Sequence, residues 1–252
     1  MTAAATYLGH ATVLIEMAGM RILTDPILVN RLAFLTRVAA PPAAADSRDI
    51  SLVLISHLHL DHLERRSLAR VGTEVPVVIG RGGGDLVRRW GWTDVTEVVP
   101  GDRLQIGELA LTATPADHAH ERSALGPRGT AVGFVLETDT ERAYFAGDTD
   151  LFPEMATLAV DGFDLALLPI AGWGPRLGPG HLNPTRAVEA AGVLGARMVV
   201  PIHWGTLWPA GMAAVSRQRL VAPAEEFARQ MAEHQPTVRA IIAQPGERIP
   251  FA

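Results

Sequence analysis

His57, His59, Asp61 and His62 place four potential metal ligands within six residues, in the run Ser56-His57-Leu58-His59-Leu60-Asp61-His62. Imidazole and carboxylate are the nitrogen and oxygen donors from which zinc, manganese and iron sites are built. In an extended loop His57 and His59 project to the same side, because side chains alternate with a period of two, and they can share one ion. Asp61 and His62 are adjacent, diverge in direction and suit a second ion beside the first. Three more donors follow: His118 in Thr114-Pro115-Ala116-Asp117-His118, Asp148 in Ala146-Gly147-Asp148-Thr149, and His203 in Pro201-Ile202-His203-Trp204-Gly205-Thr206. Each closes a strand-like run. Counting His181, six of the nine histidines fall at polar strand-end or loop positions, a recurrence that a chance surface histidine run does not produce.

The elements that must position these groups follow from the hydrophobic pattern. Leu52–Ile55 is wholly apolar, the signature of a strand buried on both faces, and it runs straight into the histidine cluster. Val13–Met17 and Met20–Thr24 read as a hairpin about Ala18-Gly19, stopped at Asp25-Pro26. Strands are expected at Val75–Ile79, Val95–Val99, Leu109–Thr114, Val132–Glu137, Arg142–Phe145, Leu165–Leu168 and Met198–Val200. Helices are expected at Glu64–Arg70, Asp85–Trp90, Pro184–Leu194 behind Asn183, and Pro223–His234. From Ile27 to Val38, Leu28, Leu32 and Leu35 recur at helical spacing beside Phe34, which reads as a short helix or a lid. The order of elements fits an α/β sandwich of two mixed sheets in one domain over 1–252, with two pseudo-related halves, about 1–112 and 113–252.

Composition removes other chemistries. The 252 residues include no cysteine, so thiolate nucleophiles, disulfides and cysteine-ligated metals are excluded. All 22 basic residues are arginine, which excludes Schiff-base lysine catalysis. A net charge of −5 provides no field for nucleic acid or an anionic membrane, and none is expected as a partner. The first ten residues lack a charged start and an apolar core for export, and no run reaches the roughly 18 to 20 apolar residues of a membrane span. A cytoplasmic protein without a stable membrane anchor is expected, with self-association left open. Gly82-Gly83-Gly84 lacks the lysine and Ser/Thr of a nucleotide loop and reads as a tight turn.

The His57-Leu58-His59-Leu60-Asp61-His62 run, followed in order by His118, Asp148 and His203, resembles the ligand set of the metallo-β-lactamase fold superfamily. Leu8-Gly9-His10-Ala11-Thr12-Val13, Leu23-Thr24-Asp25-Pro26, His181-Leu182-Asn183-Pro184 and Ile202-His203-Trp204-Gly205-Thr206 are similar to the branch containing N-acyl-phosphatidylethanolamine phospholipase D and the ascorbate-lactonase-like hydrolases. The resemblance runs from about Tyr7 to Gly246 and implies a four-layer αββα sandwich. It also implies two divalent ions: His57, His59 and His118 on the first, Asp61, His62 and His203 on the second, and Asp148 between them. A carboxylate, unlike imidazole, has two oxygens with which to bridge ions about 3.5–4 Å apart. Water shared between the ions would supply hydroxide as nucleophile. Zinc suits the donors best, and manganese or iron fit them too. A flavodiiron site would want a carboxylate where His59 stands, and a one-metal dioxygenase would not need Asp61, His62 and His203 together.

Asp61, Asp148 and His181 are the candidate catalytic residues. The resemblance puts His181 over the site, where it would bind a substrate oxygen or protonate the leaving group. Asp25 either orients a ligand histidine or is a turn aspartate before proline. His10 and Thr149 lie near the site by resemblance, as hydrogen-bonding groups. Trp173, Trp204 and Trp208 stand in loops expected to face the metals, as pocket walls or as core. Phe34 and Leu35 would close the other side. Arg176 is the best-placed cation for an anionic substrate, against a solvated surface arginine; His120 and His234 are expected to face solvent. The leading expectation is a hydrolase of phosphodiesters, lipid-like or small organophosphates. The alternatives are a lactonase using the same metals and a low-turnover metal-stabilised binding protein.

Overall fold

The computed structural model describes residues 2–119, 126–173, 177–212 and 217–251. Two seven-stranded sheets face each other across a core of Val13, Ile15, Leu54, Leu111, Phe134, Phe145, Leu167 and Val200. The first runs, in spatial order, Arg248–Pro250, Ala4–Gly9, Thr12–Met17, Met20–Thr24, Leu52–Ile55, Val77–Gly80 and Val95–Val98. The second runs Arg103–Ile106, Leu109–Pro115, Val132–Glu137, Arg142–Phe145, Leu165–Pro169, Met198–Ile202 and Arg239–Ala240. In each, the first four strands pair antiparallel and the remainder are parallel. Period-two alternation sends every second residue outward, Leu14, Leu23, Val53 and Ile55 on one sheet and Val135, Tyr144, Ala166 and Val199 on the other. Helices Arg65–Val71 and Gly84–Arg89 cover the first outer face; Met155–Leu158, Pro184–Val193 and Arg217–His234 cover the second. This is the expected four-layer αββα sandwich with two mixed sheets.

The helix starts are built as their sequences dictate. The Glu64 side chain accepts from the Ser67 N–H, and the Asn183 side chain from the Arg186 N–H ahead of Pro184. The helix expected from Pro223 begins at Arg217 and carries the proline inside it. The sheets do not divide at residue 112: the second begins at Arg103, and the last strand, Arg248–Pro250, returns to the first sheet beside Ala4–Gly9. Composition hides that inner strand. Its six residues are all buried, yet Ala4, Ala5 and Gly9 carry little strand propensity.

The helical reading of Ile27–Val38 is corrected. The segment is a β-hairpin, Arg31–Leu32 with Leu35–Arg37, joined to Leu207–Pro209 in a separate three-stranded sheet. Leu32 and Leu35 are cross-strand partners, so the spacing that imitates a helix comes from a tight turn with Ala33 at φ 48°. Arg37 anchors the hairpin. Its buried guanidinium donates to the carbonyls of Leu8 (3.2 Å), Val29 (3.4 Å) and Ile27. Burial pushes its pKa down to about 10, which leaves it charged and dependent on those acceptors. Arg37→Met is expected to cost about 3 kcal/mol, because three buried carbonyls lose a charged donor. Denaturant unfolding reads this directly, and an unchanged midpoint would show that the hairpin is held by its apolar contacts alone.

Candidate metal centre

The donors gather where strands end. His10 follows Ala4–Gly9, Asp25 follows Met20–Thr24, the His57–His62 loop follows Leu52–Ile55, Asp148 follows Arg142–Phe145, and His203 follows Met198–Ile202. His10, Asp25 and His203 hold left-handed backbones at φ 58°, 34° and 62°, conformations that non-glycine residues adopt where the surrounding structure imposes them. At Gly147 no side chain fits. Its φ is +62°, and a Cβ would lie 2.5 Å from Ser56 Cβ, so glycine lets the Asp148 turn close onto the loop that carries His57.

The outward ring nitrogens fix which atoms face inward. His118 Nδ1 donates to the Gly180 carbonyl at 2.7 Å, His203 Nδ1 to the Ala171 carbonyl at 2.8 Å, and His62 Nδ1 to Asp25 Oδ2 at 2.7 Å. Ser56 Oγ donates to Asp25 Oδ2 at 2.5 Å and therefore accepts from His57 Nδ1 at 2.9 Å, while the Ser56 N–H donates to Asp25 Oδ1 at 2.7 Å. With the protons outside, each Nε2 presents a lone pair to the centre. Asp25 thus orients His62 directly and His57 through Ser56.

These ring nitrogens converge closely. The Nε2 atoms of His62 and His203 are 3.0 Å apart, and His59 Nδ1 is 2.9 Å from His57 Nε2 and 3.1 Å from His118 Nε2. Unprotonated imidazole nitrogens repel at such distances, so each close pair calls for a proton or a metal cation between its members. Asp148 Oδ2 lies 3.1 Å from His62, 3.2 Å from His203, 3.9 Å from His57 and 4.0 Å from His118, within reach of both groups. Its Oδ1 is buried with no hydrogen-bond partner among the described residues. An orphaned carboxylate oxygen amid inward lone pairs fits divalent metal. His57, His59 and His118 form one group able to hold an ion; Asp61, His62 and His203, with His10, form another.

Electrostatics match that donor chemistry. Burial pushes His57 well down, His118 down to about 4 and His10 down to about 3, keeping these rings neutral. Burial also opposes charge on Asp61 and Asp148, but the surrounding histidines outweigh it and hold both carboxyls well below the usual range. His62 moves the other way: against the cost of burial, Asp148, Asp61 and Asp25 hold its pKa well above the usual imidazole range, so without metal its Nε2 carries a proton that a bound cation would replace.

A cavity of about 260 Å³ opens onto the cluster, lined by Leu32, Ala33, Phe34, Leu35, His59, Leu60, Asp61, Asp148, Trp173 and His181. Trp173 meets Phe34 edge-on at 5.1 Å. His181 Nδ1 faces the carbonyls of Gly178 and Pro179 at 3.2 and 3.1 Å, and its Nε2 lies 3.3 Å from Asp148 Oδ2. Thr149 Oγ1 accepts from the Asp117 N–H and donates to the Asp150 carbonyl, so it ties the His118 and Asp148 loops together. His234 is exposed at the end of its helix.

The pocket placement of Trp204 is corrected, and Trp208 takes the core alternative. Trp204 faces away from the metals: it stacks on Tyr7 at 6.5 Å, donates to the Pro201 carbonyl, and lines a separate cavity with Leu220 and Ala224. The turned backbone at His203 sends the next side chain to the opposite side. Trp208 is buried in the three-stranded sheet, outside the cavity above the cluster. Arg176 and His120 lie outside the described residues. The sequence does not single out Ser56; the parallel pairing of Met20–Thr24 with Leu52–Ile55 sets Asp25 level with Ile55 and so within reach of the next residue, Ser56.

Residues 20–204 match the model of the β-lactamase superfamily domain. The chain belongs to that superfamily. It is 30% identical to the N-acyl-phosphatidylethanolamine-hydrolyzing phospholipase D 1 of Caenorhabditis elegans over 236 residues, 82% of this chain and 65% of the worm protein. The chain thus spans just under two thirds of that relative's length. It is 30% identical to a metal-dependent hydrolase of Methanopyrus kandleri over 253 residues, covering 96% of this chain and 97% of the archaeal one. The metallo hydrolase Igni18 of Ignicoccus hospitalis shares the fold, with a TM-score of 0.75 and 24% identity over 99% of this chain and 98% of Igni18. The superfamily match and the His/Asp cluster together make the protein a metal-dependent hydrolase of the metallo-β-lactamase fold. No helix among the described residues is long and apolar enough to cross a membrane.

Asp25→Asn keeps shape but replaces one accepting oxygen by an amide donor facing His62 or Ser56. It is expected to weaken metal binding about 10–100-fold with the fold retained. Metal titration followed by calorimetry reads this, and wild-type affinity would mean that Asp25 is only a turn residue.

Proposed function

We propose that the protein is a dinuclear hydrolase of phosphodiesters, acting on phospholipid-like or small organophosphate substrates, with zinc as the favoured metal. The observation that carries the reading is the placement of His181. It reaches the cluster from the cavity side, with Nδ1 committed to two carbonyls and Nε2 directed at Asp148. A phosphoryl group carries two non-bridging oxygens besides its leaving group, enough to meet a metal pair on one side and His181 on the other. A planar ester carbonyl offers one. The worm relative is named for hydrolysing a phosphodiester-containing lipid, which agrees with this choice.

Metal ions bound at the cluster would supply an acidified water as nucleophile and polarise the scissile group. The chain's own residues do the rest. Asp25 and the Gly180 and Ala171 carbonyls hold the donor rings in orientation. His181 binds a substrate oxygen or passes a proton to the leaving oxygen through Nε2. Phe34, Leu60 and Trp173 give the leaving group an apolar wall and exclude water beside the reacting atoms. Phe34 is 57% exposed at the hairpin tip and Leu60 is 45% exposed, so a substrate covers surface that water otherwise wets.

Hydrolysis of a chromogenic phosphodiester by zinc- and manganese-loaded protein tests the reading. Turnover that falls about a hundredfold or more in Asp148→Ala is expected. Turnover on lactones, with none on the phosphodiester by protein carrying two ions, would move the assignment to cyclic esters. Phe34→Ala should raise KM roughly tenfold for substrates with long apolar groups while sparing small soluble ones. Equal effects on both classes would remove Phe34 from the substrate site.

A further inference from the structure

His10 sits in the turn between the first two long strands, far in sequence from the other donors and 1% exposed. Its side chain and its backbone each hold a different member of one metal group. The ring Nε2 lies 2.9 Å from Asp61 Oδ2, closer than His203 Nε2 at 3.4 Å or His62 Nε2 at 3.7 Å. The ionised carboxylate only accepts, so His10 donates to it. The same ring meets the His203 ring at a tilt of 38°, centroid to centroid 4.0 Å. The His10 carbonyl accepts the His203 N–H at 2.8 Å, and the His10 N–H donates to Thr206 Oγ1 at 2.7 Å. A left-handed residue at φ 58° therefore clamps the Asp61 side chain and the His203 backbone at once.

We infer that His10 is a positioning residue for the second ion alone, a role that rests on the two-metal reading above. Two of the three rings of the first group have holding partners of their own. His118 is fixed by the Gly180 carbonyl and His57 by Ser56, both independent of His10. Carboxylate ligands held by a hydrogen bond lose about 10–100-fold in metal affinity when that partner goes. The two ions should therefore respond unequally to one substitution.

The test is zinc competition against a chromogenic chelator with the full-length protein, reading both affinities instead of activity. His10→Asn tolerates the left-handed backbone but is too short to reach Asp61. His10→Gln restores a donor near the original Nε2. The Asn variant is expected to bind the first ion as wild type does and the second about 10–100-fold more weakly. The Gln variant should recover most of that loss. Equal weakening of both ions, or no weakening, would overturn the inference. Loss of the second ion to the same extent in both variants would also overturn it, by marking the imidazole as a ligand instead of a donor to Asp61. A wild-type protein that takes up a single ion would fail at the two-metal reading itself, before either variant is compared.

Discussion

The structure depends on one constraint: imidazole rings whose outer N–H groups are committed to fixed acceptors must turn their lone pairs toward a common centre. Asp25, Ser56, Gly180 and Ala171 impose this on His62, His57, His118 and His203. Lone pairs packed this closely in a buried site are unfavourable alone. Divalent cations convert that cost into binding. The left-handed backbones at His10, Asp25 and His203 belong to the same arrangement, local strain retained where it aims a functional group.

The sandwich makes such convergence geometrically simple. Two sheets with the same order of antiparallel and parallel strands present their loop ends side by side, and donors from both meet in the seam. The first sheet contributes His10, Asp25 and the His57–His62 loop, the second His118, Asp148 and His203. The helix Pro184–Val193 begins just after His181, so a rigid element carries the residue that closes the far side. Outside this framework, the hairpin around Phe34 gives the cavity over the cluster an apolar wall. Arg37 joins that wall to the strand leading into His10, so pocket shape and ligand orientation share a mechanical origin.

Much of this was legible in the residues. Buried strands such as Leu52–Ile55 and Leu165–Leu168 stand out because a short, wholly apolar run fits a strand covered on both faces. The donor residues were legible because they follow strand-like runs. What escaped depends on tertiary placement. The direction of Trp204 is set by one backbone dihedral at His203, and no local pattern encodes it. The hairpin at 31–37 imitates a helix because cross-strand partners three residues apart share helical spacing. Carbonyl acceptors such as those of Gly180 and Ala171 belong to the backbone, so side-chain identity cannot announce them.

The proposed dinuclear site requires two ions within reach of these inward nitrogens, joined by Asp148. Anomalous diffraction at the zinc edge from crystals of the zinc-loaded protein tests it most directly. Two peaks about 3.5–4 Å apart are expected, one within the reach of His57, His59 and His118 and the other within the reach of Asp61, His62 and His203. A single peak in fully loaded crystals, or two that Asp148 does not join, would contradict it.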